Sequence, residues 1–319
     1  MNVSVLVTGG SGFLGCAVLQ ALQLRGVHPL TASVRSTNVD LLPELHLKQV
    51  AGLGPNTDWK ACVQGVNTVI HCAARAHVMK DKTVDPLAEY RIVNVAGTLA
   101  LARQAAEAGV RRFVFISSIK VNGELTLSGR SFLPDDTPAP EDAYAISKLE
   151  AERGLMAISR DTGMEIVIIR PPLVYGPGVK RNFAAMIRWI RKGVPLPLGA
   201  VHNRRSLVAL DNLVDFIVLC ADRERSPRAA NEVFLIADGE DVSTTELLRK
   251  VARAYGVKPR LLPIPARWMR FAAGLLGKGA VADRLLGSLA VDSSKARDLL
   301  GWRPVISMDA QLQKMARHD

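Results

Sequence analysis

A phenol, an ammonium and a hydroxyl occur in this chain at positions from which all three can act on one oxygen. Tyr144 and Lys148 lie four residues apart in a segment of helical pattern, so their side chains share one face. An ammonium beside a phenol favours the phenolate and draws its pKa below the usual value of about 10. Such a tyrosine can exchange a proton with a carbonyl or hydroxyl oxygen while a hydride moves at the attached carbon. The lysine is long enough to reach a nicotinamide ribose as well. Ser118 follows an apolar run read as a parallel strand, at the edge where open α/β sheets bind ligands. Its hydroxyl can hold the oxygen that Tyr144 protonates. The chain has no G-x-S-x-G elbow, and its histidines have no assigned partner, so Ser118 is not read as a nucleophile.

Hydride chemistry needs a carrier, and the start of the chain offers a place for one. The stretch TGGSGFLG, residues 8–15, joins an apolar run (Val3, Val5, Leu6, Val7) to a segment of helical spacing at 16–24. A strand that turns through glycines into a helix brings backbone amides and the helix N-terminus under a pyrophosphate. Gly10, Gly12 and Gly15 match G-x-G-x-x-G, and Gly9, Gly12 and Gly15 fit the alternative three-residue spacing. Residues 28–34 read as the second strand. Arg35, twenty residues past Gly15, stands where an acid would bind the ribose hydroxyls of NAD. A guanidinium there suits a 2'-phosphate, which favours NADP(H) and keeps NAD(H) as the alternative; a solvated surface arginine is the other reading. After a strand at 66–71, the small pair Ala73 and Ala74 would let the backbone approach the adenosine side of the cofactor.

The remaining elements alternate strand and helix. Helical pattern runs over 85–108, with Asn94 inside it expected to satisfy backbone groups at a distortion. Strands follow at 112–117 and 165–170, with a helix at 144–162 between them. Residues 129–142 form a polar, proline-containing excursion that could rim a site. The expected fold is α/β, a Rossmann-like doubly wound parallel sheet with a smaller C-terminal substrate-binding lobe. Its nucleotide-binding domain takes residues 1–170. Residues 171–319 mostly form the lobe, while elements at about 200–240 return to complete the main domain.

Composition excludes several classes. Of 319 residues, 48% are apolar and 22% charged, so a folded core is expected. Forty-one basic residues against thirty acidic ones give +11, which favours an anionic partner. The cations are scattered, and only four Tyr and four Trp are available to stack on bases, so nucleic acid is not the expected partner. Cys16, Cys62, Cys72 and Cys220 have no metal-ligand spacing, and no metal is expected; reduced thiols and a cytoplasmic location follow. The first strand begins within three residues, which leaves no room for a signal peptide, and no apolar run is long enough for membrane insertion. The apolar stretch 268–289 is read as helices closing a pocket, with Trp268 and Trp302 as packing residues.

The motifs TGGSGFLG, HCAA, NVAGT, SSIKVNG, YAISK, RPPLVYGPG and RSLVALDNLVD, with LLGW near the end, resemble the extended short-chain dehydrogenase/reductases. The branch is that of nucleotide-sugar epimerases, dehydratases and 4-ketosugar reductases, and the likeness spans nearly the whole chain. It implies that Ser118, Tyr144 and Lys148 are catalytic. It also implies a cofactor over Gly9, Gly12, Phe13, Leu14 and Gly15, with Pro171 near the nicotinamide. Asn182 would approach a UDP-linked sugar and Arg205 its diphosphate. His77, Lys120 and Asn122 would line the sugar pocket or serve as solvated or backbone-bonding residues. A homodimer is implied through the helices around Leu99 and Leu155.

Two departures narrow the reading. Gly52 and Leu53 occupy the place where many relatives carry an acid for adenine. Ile119 and Lys120 replace the acidic pair that 4,6-dehydratases carry after the catalytic hydroxyl, which argues against elimination. Two reactions remain, beside the reading that the fold is retained as a non-catalytic nucleotide-binding module, against which the intact Ser118, Tyr144 and Lys148 argue. One is NADPH-dependent reduction of a UDP-4-keto-6-deoxy-N-acetylhexosamine at C4, of the O-antigen type, which Arg35 favours. The other is 4-epimerisation of a UDP-hexose or UDP-N-acetylhexosamine with retained NAD.

Overall fold

The computed structural model describes residues 4–36, 45–76, 85–275, 277 and 279–318. Seven strands form one wholly parallel sheet: β1 (Val5–Thr8), β2 (Leu30–Val34), β3 (His46–Gln49), β4 (Thr68–His71), β5 (Arg112–Ile116), β6 (Glu165–Arg170) and, after two intervening strands, β9 (Glu232–Leu235). Their order is β3-β2-β1-β4-β5-β6-β9. The chain winds outward from β1 to β3 and then returns to the other side of β1, so the switch point falls between β1 and β4, where such sheets bind ligands.

Both faces of the sheet are covered, which is why β1, β4 and β5 are buried at every position. On one face lie α1 (Phe13–Leu24) and α7 (Leu210–Ala221), with Leu19, Leu22, Phe216 and Ile217 packed on Val5, Val7 and Val114. The other face carries α2 (Lys60–Val63), α3 (Pro86–Tyr90), a π-helical segment (Arg91–Gly97), α4 (Thr98–Glu107) and α5 (Ala143–Thr162). Leu101, Leu155 and Ile158 meet Phe113, Phe115 and Ile166 there. Leu155 is fully buried within the single chain, and Leu99 packs where a Cβ on Gly154 would lie 2.7 Å from its methyls. Leu155 therefore belongs to the core of the single chain, and Leu99 is partly buried against that core.

Ladder pairing of β6 with β9 stops at Arg170 and Leu235, because Pro171 and Pro172 have no amide hydrogen to continue it. The chain then starts a second sheet of β7 (Leu173–Tyr175), β8 (Arg205–Ala209) and β10 (Asp241–Val242), ordered β10-β8-β7. Of residues 200–240, α7 and β9 join the large unit while β8 stays with the small sheet. Around that sheet pack α6 (Arg181–Arg191), α8 (Thr244–Ala254) and α12 (Met308–His318), with Phe183, Ile187, Leu248 and Leu312 in a separate core. Three further helices are α9 (Ala266–Leu275), α10 (Gly279–Leu286) and α11 (Ser294–Leu300).

Trp302 is buried, edge-on to Phe216, and its indole donates to Asp215. Trp268 is 59% exposed and α9 has no buried residue, so Trp268 is not a packing residue as the sequence suggested. The four cysteines are free thiols. Among the described residues no helix is long and apolar enough to cross a membrane, and no cluster of three or more His, Cys, Asp or Glu is arranged to hold a metal ion.

Candidate active site

At the end of β1 the backbone enters the left-handed region at Gly9 (φ +70°) and closes a turn in which the Gly12 amide donates to the Gly9 carbonyl at 2.9 Å. A side chain would fill this cradle: a Cβ on Gly15 would lie 2.2 Å from the Gly9 oxygen, and one on Gly9 would lie 2.8 Å from the Ala73 nitrogen. The first turn of α1 has no acidic residue and no side-chain cap. Its leading amides, from Phe13 onward, have no intrahelical acceptor and suit a diphosphate. Phe13 and Leu14 pack their side chains against the core beneath. A dinucleotide fits these residues. Arg35 is the first residue past β2 and is exposed, with no carboxylate within 4 Å among the described residues.

What ties this turn to the rest of the edge was not legible from local pattern. Buried His71 does so at the end of β4: Nδ1 shares a hydrogen bond with Thr8 Oγ1 at 2.6 Å and Nε2 with Thr98 Oγ1 at 2.9 Å. Thr8 Oγ1 also accepts from the Ala73 amide at 3.3 Å. Burial, helped by the charge of Lys148, pulls the His71 pKa down to about 3, so the imidazole stays neutral as a brace. Ala74 follows in the same half-buried loop. Asn94 sits in the π-helical segment, where its amide accepts from the Arg75 amide at 2.8 Å and donates to the Arg75 carbonyl and the Ser147 hydroxyl, both at 3.0 Å. The distorted turn thereby joins the loop after β4 to α5.

Ser118 lies just past β5, half-buried, and accepts from the Lys120 amide at 3.3 Å. Several side-chain contacts from α5 and its N-cap converge on residues 116–120. Lys148 Nζ donates to the Ile116 carbonyl at 2.8 Å. Ser117 Oγ donates to Glu152 Oε1 at 2.5 Å. Asp142 caps α5 through the Ala145 amide at 2.8 Å and accepts from Lys120 Nζ at 2.6 Å. The Ile119 amide donates to the carbonyl of buried Pro171 at 3.0 Å, so β6 joins the same knot. Ser118 is thus held opposite the first turns of α5, which carry Tyr144 and Lys148.

Lys120 and Asn122 take structural places here. Lys120 bridges Glu124 and Asp142, and although burial alone would lower its pKa, its hydrogen bonds to these acids raise it. It anchors the N-terminus of α5 two residues before Tyr144. Asn122 is buried, donating to the Leu133 carbonyl and accepting from Arg170 Nη1, both at 3.0 Å. Behind them Arg170 and Glu152 form a buried pair, Nη2 to Oε2 at 2.6 Å and Nε to Oε1 at 2.9 Å. The sequence held a signal for it: Glu152 continues the Tyr144, Lys148 spacing by four, and Arg170 puts a charge at the end of an otherwise apolar strand.

The electrostatics differ from the expectation for Tyr144. Burial, then the charge of Asp142 and the neighbouring Tyr90, push its phenol above the usual value of 10. Lys148 Nζ stands 5.9 Å from the Tyr144 ring centre, held instead by Ile116 and 4.4 Å from the Phe115 ring centre. The Tyr144 phenol is therefore neutral in this arrangement. Burial lowers Lys148 from 10.5 to about 8, opposed by Glu152 and Cys72. Between those two values the unfolded chain binds more protons. The burial penalty, about 3 kcal/mol, is therefore present in full below pH 8 and fades as the pH rises towards 10.5. A rate that needs the Lys148 ammonium will fall as the pH passes about 8. The kcat/KM profile of Lys148→Arg, which keeps its charge, should lack that limb; an unchanged limb would assign it to another group.

Of the other expected residues, Arg205 starts β8, and burial lowers the pKa of its guanidinium. Nη1 donates to the carbonyls of Arg284 at 2.9 Å and Gly287 at 3.3 Å, with no carboxylate within 4 Å among the described residues. Neighbouring Arg204, by contrast, pairs with Asp241. Asn182 is exposed in the first turn of α6. His77 lies outside the described residues. A cavity of about 800 Å³ lined by Asp238, Asp241, Asp292 and Arg303 includes none of Ser118, Tyr144 and Lys148.

Comparison with known proteins places the chain in a family. The model of the NAD dependent epimerase/dehydratase family matches residues 5–237. A UDP-glucose 4-epimerase of Vibrio cholerae is 46% identical over 319 residues, 99% of this chain and 95% of the relative. The crystal structure of UDP-N-acetylglucosamine 4-epimerase from Bacillus cereus shares the fold, with a TM-score of 0.79 over 99% of each chain at 20% identity. MoeE5, solved with UDP-glucose and NAD, gives 0.76 over 99% of this chain and 98% of its own, at 25% identity. With its glycine cradle at the β1/β4 switch point and its match across nearly three quarters of the sequence, the chain belongs to the NAD dependent epimerase/dehydratase family, within the extended short-chain dehydrogenase/reductases.

Proposed function

We propose that the protein is a 4-epimerase of UDP-hexoses or UDP-N-acetylhexosamines that works with bound NAD. The observation that carries this reading is the 46% identity, over 99% of the chain, to a protein named as a UDP-glucose 4-epimerase. The sequence alone put reduction first; this relative shifts the balance to epimerisation. Gly9, Gly12 and Gly15 would hold the pyrophosphate of the dinucleotide, Ala73 and Ala74 would flank its adenosine side and Pro171 its nicotinamide, and the bound group would supply a hydride acceptor and donor for sugar C4. Ser118 holds the sugar O4 through its hydroxyl. Tyr144 gives a proton to O4 in the reducing half and takes one in the oxidising half, where the Lys148 ammonium stabilises the phenolate. Arg205 meets the diphosphate with a charge that counts for more as water is excluded, and Asn182 lies toward the nucleotide sugar.

Because hydride leaves and returns, purified protein should interconvert UDP-glucose and UDP-galactose types, or their N-acetyl forms, without added cofactor and without lasting change at 340 nm. Product NMR follows the epimer, and chromatography of the denatured protein identifies the dinucleotide. The second reading rests on Arg35, exposed at the end of β2 with no carboxylate partner among the described residues. A 2'-phosphate there would mark an NADPH-dependent 4-ketoreductase. Stoichiometric NADPH loss with a UDP-4-keto-6-deoxy-N-acetylhexosamine, and no epimer from any UDP-hexose, would replace the first reading by the second.

A further inference from the structure

The helix α9 carries apolar residues on two sides, and only one of them is used by the fold. Ala266, Met269 and Ala273 pack against Val201, Ala282 and Leu286. Across the helix Trp268, Phe271 and Leu275, spaced by three and four, form one outward stripe and are 59%, 64% and 75% exposed. Leu262, Ile264 and Leu285, in the segments before and after this helix, are exposed as well. An apolar face of this kind, rimmed by charge, marks an interaction site and not ordinary surface scatter.

The rim identifies the occupant. Residues 258–286 contain Lys258, Arg260, Arg267, Arg270, Lys278 and Arg284 against the single acid Asp283. Arg270 approaches Asp283 at 3.6 Å and Arg284 pairs with Glu124, while Lys258, Arg260 and Arg267 have no carboxylate within 4 Å among the described residues. The guanidinium of Arg267 lies 6.0 Å from the centre of the Trp268 ring. An indole, a phenyl and a leucine on one side with arginines on the flank is the pattern of a helix lying in a lipid headgroup layer. A second copy of the chain would set this excess of cations against itself.

We propose that α9 docks the protein on an anionic lipid bilayer, with Trp268, Phe271 and Leu275 entering the headgroup region and Arg267 and Arg270 meeting lipid phosphates. The inference does not depend on which sugar the active site takes. It is tested by co-sedimentation of the full chain with phosphatidylcholine vesicles made with and without phosphatidylglycerol. Binding is expected only with the anionic lipid, reduced by salt, and roughly tenfold weaker in Trp268→Ser/Phe271→Ser/Leu275→Ser. Arg267→Gln/Arg270→Gln should weaken it while leaving the apolar stripe in place. Thermal unfolding checks that both variants are folded, and the fluorescence of Trp268 should shift to the blue on binding, a shift lost in Trp268→Phe. Equal binding by parent and variants, or no binding to either vesicle, overturns the proposal. So does sedimentation velocity showing a dimer that the triple variant loses without any vesicle binding, since a second copy would then cover the face.

Discussion

Tyr144→Phe should lower turnover by about 10² to 10⁴-fold while the protein keeps its fold and its dinucleotide, because only the proton-transferring oxygen is removed. The ring itself stays, edge-on to Tyr90 at 6.1 Å, and the ties from Lys148 to Ile116 and from Asp142 to Lys120 do not involve the lost hydroxyl. Epimer formation measured at saturating substrate reads the loss, and chromatography of the dinucleotide released from the variant reads cofactor retention. Turnover within threefold of the parent would remove Tyr144 from the chemistry. A variant that is inactive because it comes without dinucleotide would make Tyr144 a binding residue instead.

The second large effect concerns a pair that touches no substrate. Glu152 and Arg170 are almost completely buried and hold Ser117, Asn122, α5 and the end of β6 in one network. Removing either partner leaves the other charge buried and unpaired, which costs about 3–5 kcal/mol. Arg170→Ala and Glu152→Ala should each lose that amount in urea unfolding. Replacing both by apolar residues of similar volume should recover most of it, since the charge left behind is the main penalty and not the missing bond. Single variants within 1 kcal/mol of the parent would show that water already reaches the pair. Glu152 also raises the pKa of Lys148. In Glu152→Gln the alkaline limb of the rate should therefore move below pH 8, a change that stability loss alone does not produce.

Local pattern carried much of this protein. The strands at 112–116 and 165–170 and the helix at 143–162 were legible to within a residue or two, because strand runs buried on both faces and helices with one apolar side declare their period in the chain. The glycine turn and the Tyr144, Lys148 spacing were legible for the same reason: each is a short segment whose geometry follows from its own residues.

What the sequence did not contain was the set of contacts between segments far apart in the chain. Leu155 looked equally suited to a subunit face and to the core, and only the packing of α5 on β5 and β6 places it inside. Asn122 and Lys120 followed a strand at the active edge, yet Arg170 and Asp142 claim them, residues 48 and 22 positions away. Trp268 was read as a packing residue, and the tertiary structure turns it outward. The ammonium expected to activate Tyr144 is drawn instead to the Ile116 carbonyl on β5. Spacing along a helix determines which side chains share a face. Which of them finds a partner, and how much water it loses on the way, is decided only when that face closes against the rest of the fold.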